Sequence, residues 1–291
     1  MPDQLSRAAE RVALLSVISN TCLTLMKFIV ASMTGSVSIL SEGLHSSMDL
    51  VASVIAFIAV RMSRRPADAE HPWGHGKAEN VSGVAEGVLI FVAAALIVSE
   101  AVQKLVSPHE VDSPLLGMAV MGVSAVVNTV VAFLLFRTAK KTGSLALEAD
   151  ALHLKTDVYT SVGVAVGLGL MTLTGWPILD PIAALLVSAL IVKEAWNLVK
   201  RSFAPLMDGT LPPGERAEVE KVIADTLAGN AGYHNLKARR AGHRIFVEFH
   251  LTLPGTVSLT EAHTVTERVE AALTARWEHA EALIHMEPEG V

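Results

Sequence analysis

The chain has 291 residues, of which 51% are hydrophobic and 18% charged, with a mean hydropathy of +0.46. Those values exclude an ordinary soluble domain and point to a protein that crosses the membrane several times. With a net charge of -6, a pI near 6.0 and no basic arm, there is no reason to expect nucleic acid as a partner.

The polar N-terminus, MPDQLSRAAER, lacks the charged stretch, short apolar core and small-residue cleavage site of a signal peptide, so it is expected to be retained. Six segments are then long enough to span a hydrocarbon core of about 30 Å, which takes roughly 20 residues of helix. They run near Val12 to Met33, Val37 to Met62, Val81 to Val106, Leu115 to Phe136, Leu145 to Leu173 and Ile178 to Val199. The fifth looks half soluble, because it opens with Glu148, Asp150, His153, Lys155 and Asp157. The only cysteine, Cys22, falls in the first span, which rules out an intrachain disulfide and thiolate metal sites within one chain.

Arg7 and Arg11 precede the first span, Arg61, Arg64, Arg65 and Lys77 fill the second connection, Arg137, Lys140 and Lys141 the fourth, and Lys200 and Arg201 follow the sixth. The opposite connections are nearly free of basic residues, and that between spans three and four carries Glu110 and Asp112. Both termini are therefore expected in the cytoplasm.

From Asp208 the composition changes abruptly; Leu211, Pro212, Pro213 and Gly214 form a breaker cluster, and the rest has the charge content of a soluble domain. Glu215 to Ala228 has helical apolar spacing. Asn235 to Arg240 and Arg244 to Leu253 read as two strands about the Ala241-Gly242 turn, Ser258 to Trp277 as a helix opened by a Ser258/Glu261 capping box, and Ala282 to Met286 as a short strand. The expected fold is an all-α six-helix transmembrane domain, residues 1–207, followed by a small α+β domain of order α-β-β-α-β, residues 208–291.

One stretch occurs twice. Ser41 to Asp49 reads SEGLHSSMD and Ala149 to Asp157 reads ADALHLKTD, so Glu42, Leu44, His45 and Asp49 recur as Asp150, Leu152, His153 and Asp157. His and Asp four apart lie on one helix face. Two helices each offering such a pair supply two imidazoles and two carboxylates, a tetrahedral zinc-type set that is formally neutral around a 2+ ion. Four protein ligands leave no open position for the water of a hydrolase, and a closed site retains ions rather than passing them as a channel does. The nitrogen-rich set favours Zn²⁺ over Mn²⁺ or Mg²⁺, with Cd²⁺, Co²⁺ and Fe²⁺ open. Metal binding needs neutral imidazoles, whose unperturbed pKa is about 6.5, so the site is either metallated or protonated and metal can leave as protons enter. No nucleotide-binding loop is present, and a metal sensor without flux is the alternative.

Asp68, His71 and His75, in the cytoplasmic connection DAEHPWGHG, have spacing suited to a second metal site; Pro72, beside the first His, excludes the metalloprotease pattern. Lys77 and Asp208 flank the membrane on one side and make a candidate charge pair between the two halves or between protomers.

These six spans, the paired signatures in the second and fifth, the short connections and the C-terminal α+β domain resemble the cation diffusion facilitators over nearly the whole chain. The resemblance implies that His45, Asp49, His153 and Asp157 bind the transported divalent metal. It also implies a homodimer in the inner membrane that exports metal from the cytoplasm in exchange for protons. It implies a C-terminal domain of metallochaperone-like fold that dimerises and binds regulatory metal, here through His234, His250, His263, His285 and Glu287. Two positions depart from relatives: His45 stands where some have Asp, and Glu287 where Asp is common. His243, at a turn, is a weaker candidate, and His109 and His279 read as surface residues.

Overall fold

The computed structural model describes residues 2–35, 37–106, 114–176, 178–229 and 231–290, so His109, Glu110 and Asp112 lie outside the described residues. It divides into two compact units, Met1–Phe203 and Ala204–Val291.

The first unit contains α1 (Pro2–Thr34), α2 (Val37–Ser63), α3 (Ala78–Val106), α4 (Pro114–Thr142), α5 (Leu145–Thr174) and α6 (Leu179–Phe203). Among the described residues α1, α2, α3, α4 and α6 are long and apolar enough to cross a membrane. The fifth helix is as long as its neighbours, at 30 residues, and its Glu, Asp, His and Lys side chains all fall in its first half.

Packing explains how α5 carries that polarity. Its Ala146, Leu147, Ala151 and Leu154 are buried with Ala9 and Ala13 of α1, Ala59 and Val60 of α2, and Val131 and Leu135 of α4. Its Ala149 and Leu152 are buried on the other side with Ile90 and Ala94 of α3 and Ile191, Ala195 and Leu198 of α6. Thus α5 is central, and its ionisable groups meet protein rather than lipid, the condition under which a spanning helix tolerates them. The outer helices present the large apolar side chains instead, such as Leu14, Ile18, Leu25 and Ile29 of α1 and Leu186 and Leu190 of α6.

Small residues set the closest helix approach. Gly83 and Gly87 of α3 are four apart, and a Cβ on either would run into Ser202 or Val199 of α6. Such a glycine pair lets two backbones come together where no hydrophobic force between helices exists.

The second unit begins with a 3₁₀ turn (Ala204–Met207) and continues as α7 (Pro213–Leu227), β1 (Gly232–Ala241), β2 (Arg244–Leu253), α8 (Leu259–Arg276) and β3 (Ala280–Pro288). The sheet order is β1-β2-β3, with β1 antiparallel and β3 parallel to β2. A parallel neighbour needs a crossover, and α8 is that crossover. Ile245, Val247, Phe249, Leu251 and Leu253 of β2 pack in the core with Val219, Ile223 and Leu227 of α7 and Ala262, Val269 and Leu273 of α8. The alternate residues Glu248, His250 and Thr252 therefore lie on the face away from that core. The expected capping box is present: Ser258 Oγ accepts the Glu261 amide at 3.3 Å and the Glu261 carboxylate accepts the Ser258 amide at 3.0 Å. The outer strands run longer than the alternation predicts, because a bulge in β1 between His234 and Lys237 breaks the period there and β3 extends two residues at each end.

Candidate metal centres

The repeated signature lands on two helices that pack against each other, α2 and α5. Helical spacing stacks His45 over Asp49 and His153 over Asp157, and the packing turns both pairs inward. Ligand atoms of His45, Asp49 and Asp157 all lie within 4.8 Å of one another. His45 Nε2 is 3.9 Å from Asp157 Oδ1 and 4.0 Å from Asp49 Oδ1, and His153 Nε2 is 3.1 Å from Asp49 Oδ1. His45, Asp49 and Asp157 thus form one group, and His153 joins it through Asp49. Asp49 and His153 are buried, Asp157 is half-buried, and His45 is the most exposed at 36% of its side chain. Asp157 Oδ2 and His153 Nδ1 are buried with no hydrogen-bond partner among the described residues. A buried carboxylate oxygen without a donor is costly unless a proton or a cation answers it. Two imidazoles and two carboxylates fit a divalent ion.

A polar stripe on α1, invisible to a search for ligand motifs, holds α2 in place. Ser16, Asn20, Thr24 and Lys27 are all buried. Thr24 Oγ1 donates to the Ser46 carbonyl at 3.0 Å, Asn20 Nδ2 reaches the Asp49 carbonyl at 3.5 Å, and Lys27 Nζ donates to Ser46 Oγ at 2.7 Å and Glu42 Oε2 at 3.2 Å. Polar residues recurring at helical spacing within an apolar segment were the available signal. Two further carboxylates, Asp150 of α5 and Glu86 of α3, are wholly buried, and Ser82 Oγ donates to Glu86 at 2.8 Å. Near the helix ends Ser63 Oγ donates to Glu79 at 2.8 Å, Asn80 Nδ2 to the Ser202 carbonyl at 3.3 Å, and Arg201 pairs with Glu148 at 2.8 Å.

The connection between α2 and α3 gathers Asp68, His71 and His75. Asp68 Oδ1 accepts the His71 amide at 2.7 Å and the Glu70 amide at 3.1 Å, which folds the loop back on itself. The two imidazoles stand 4.4 Å apart by ring centre, His71 Nδ1 3.5 Å and His75 Nε2 3.4 Å from the same carboxylate. The His71 amide, helped by the His75 ring, holds the Asp68 carboxyl below the usual carboxylate range.

In the second unit His234, His250 and Glu287 form a third cluster. Register explains it: His250 of β2 stands opposite His234 of β1 and His285 of β3, and Glu287 is two residues beyond His285 on the same face. Glu287 takes His234 Nε2 at 2.9 Å on one oxygen and His250 Nδ1 at 3.3 Å on the other, and the His250 and His285 ring centres are 5.0 Å apart. His263 does not join them; it lies on α8, with Nε2 3.6 Å from Glu267. His243 and His279 form a separate pair of rings 4.9 Å apart. Asp208 meets Arg239 of its own unit at 3.4 Å, whereas Lys77 belongs to the first unit.

Comparison with known proteins follows the same division. The cation efflux transmembrane domain matches residues 13–207 and the cation efflux protein cytoplasmic domain residues 211–289. The chain is 37% identical, over 97% of its length and 91% of the other, to a Synechocystis sp. protein named uncharacterized transporter sll1263. The chain belongs to the cation diffusion facilitator family. It is also 35% identical to the cation-efflux pump FieF of Shewanella oneidensis, over 92% of this chain and 90% of that one. Among solved structures, CzrB in its zinc form is 40% identical over 28% of this chain and 92% of that one, with a TM-score of 0.27. As a member of this family, the chain is a membrane cation-efflux transporter of divalent metal.

Proposed function

We propose that this transporter exports Zn²⁺ from the cytoplasm in exchange for protons, working as a homodimer in the inner membrane with both termini cytoplasmic. The convergence of His45, Asp49, His153 and Asp157 from α2 and α5 carries the reading. Two neutral imidazoles and two carboxylates balance a divalent charge inside the bundle, and the nitrogens favour zinc over harder ions. When the ion leaves, the carboxylates crowd one another without a cation, and protons on the imidazoles restore the balance. Each state of the site thus holds either metal or protons. Rocking that presents the site to one side and then the other converts this exclusion into exchange. Asp68, His71 and His75 make a second metal site on the cytoplasmic connection. His234, His250, His285 and Glu287 make a regulatory site in the C-terminal domain, and that domain is where the protomers join. Lys77 and Asp208 are a charge pair that helps to hold the two protomers together.

The test is flux into liposomes that contain the purified protein with a zinc dye and a pH dye inside. Zinc movement coupled to opposite proton movement, and abolished in Asp157→Ala, is the expected result. Tight zinc binding with no flux under any gradient would replace the transporter cycle with a sensor.

A further inference from the structure

Successive side chains of a regular strand point to opposite faces, so only one of two neighbours reaches a given face. At the start of β1 this rule is broken. His234 pairs with His250 and Lys237 with Glu248, so three steps on β1 are set against two on β2, a β-bulge. Asn235 occupies the bulge with φ of +53°, in the left-handed region that asparagine adopts more readily than most residues with a Cβ. The outcome is that two consecutive side chains serve one cluster. His234 Nε2 is 2.9 Å from Glu287 Oε1, and the Asn235 side-chain amide is 3.3 Å from His250 Nε2. The other nitrogen of the same ring, His250 Nδ1, is the one that faces Glu287, at 3.3 Å from Oε2.

We propose that Asn235 is a positioning residue of the C-terminal metal site, holding His250 so that Nδ1 rather than Nε2 binds the ion. This rests on the reading of His234, His250, His285 and Glu287 as that site. A ring nitrogen that binds metal must offer its lone pair, and the hydrogen then sits on the other nitrogen, where an outer partner fixes it. A primary amide serves both conditions of the ring because it carries a donor and an acceptor. Without metal, the Asn235 NH₂ donates to Nε2 while Nδ1–H donates to Glu287. With metal on Nδ1, the hydrogen moves through solvent to Nε2 and the ring stays neutral. The amide, turned half round about its last torsion, accepts that hydrogen through Oδ1. A carboxylate at position 235 could only accept, which favours the metal-bound tautomer. A glycine keeps the left-handed backbone and removes the partner altogether.

The experiment uses the full chain in detergent micelles with ring-¹⁵N histidine, titrated with Zn²⁺ against a competing chelator. The binding component that His250→Ala removes defines the site. For that component Asn235→Gly is expected to weaken zinc by about 10-fold or more, the loss typical of removing an outer-shell partner, with the metal-free melting midpoint unchanged. Asn235→Asp is expected to bind at least as tightly as the native chain. The ¹⁵N spectra are expected to place the His250 hydrogen on Nε2 in both zinc-loaded native chain and Asn235→Asp. Native-like affinity in Asn235→Gly, or coordination through Nε2 in the native chain, would overturn the role of Asn235. If His250→Ala removes no component, the site itself fails and the proposal goes with it.

Discussion

The membrane cluster and the C-terminal cluster use the same side chains in opposite ways. In the bundle, two His/Asp pairs come from one spacing repeated on two helices, and Asp49 and His153 are shut away from solvent. In the second unit the ligands come from three strands brought into register, and His234 has 54% of its side chain exposed. The exposed cluster can stay folded with or without an ion because water answers its polar atoms. The buried pair Asp49 and His153 has no such reserve, so its occupancy and the packing of α2 against α5 are coupled. That difference fits the roles proposed for them, an ion carried through a cycle at one and its concentration sensed at the other.

The sharpest way to break the contrast is to remove a buried carboxylate. Asp49→Ala or Asp157→Ala is expected to cut zinc flux by more than about 100-fold, beyond the loss of an outer-shell partner, with His250→Ala flux at saturating zinc close to native. Equal losses in both would show that the two clusters do not differ in role. Next in size, Gly87→Leu drives a side chain into Val199 and separates α3 from α6. A melting midpoint lowered in keeping with the roughly 1–3 kcal/mol cost of overpacking checks it.

A subtler effect distinguishes the sites by dose. His250→Ala with His285→Ala is expected to shift the zinc concentration at which transport is half-maximal while leaving the intramembrane variants' phenotype untouched. Unchanged dose dependence in folded protein would remove the regulatory role. The smallest effect confines itself to the second unit: Ser258→Ala removes the α8 cap at about 1 kcal/mol, read as a lower unfolding midpoint of that unit with flux unaltered. The Ser258 amide holds the Glu261 carboxyl below its ordinary range. The carboxylate's half of the cap is therefore complete above the unfolded value of about pH 4.3 and is lost as pH falls through the lower folded value, while the Ser258 Oγ bond persists.

His45, Asp49, His153 and Asp157 were legible in the sequence because a four-residue interval has one meaning on a helix, and because the signature recurs in a second span. The same recurrence accounts for the polar first half of α5. Lys27, Asn20 and Thr24 were not legible as supports: a polar residue in an apolar segment declares that it needs a partner but not which one, and theirs lie on α2. His250 facing His285 followed from strand alternation once the parallel register was known. Asn235 could not, since the bulge that brings it to the cluster is the feature that breaks alternation. His263 illustrates the reverse, a histidine suggested by family resemblance whose neighbour in the fold is Glu267.

Zinc X-ray absorption on a chain lacking the histidines of the other two clusters is the direct probe of a two-nitrogen, two-oxygen ion site shared by α2 and α5. In His71→Ala, His75→Ala, His234→Ala, His250→Ala, His285→Ala protein one bound zinc is expected, with four light ligands at about 2.0–2.2 Å, two imidazole signatures, and loss of that zinc in Asp157→Ala. Zinc held equally well after Asp157→Ala, or a coordination shell without imidazole, would contradict it.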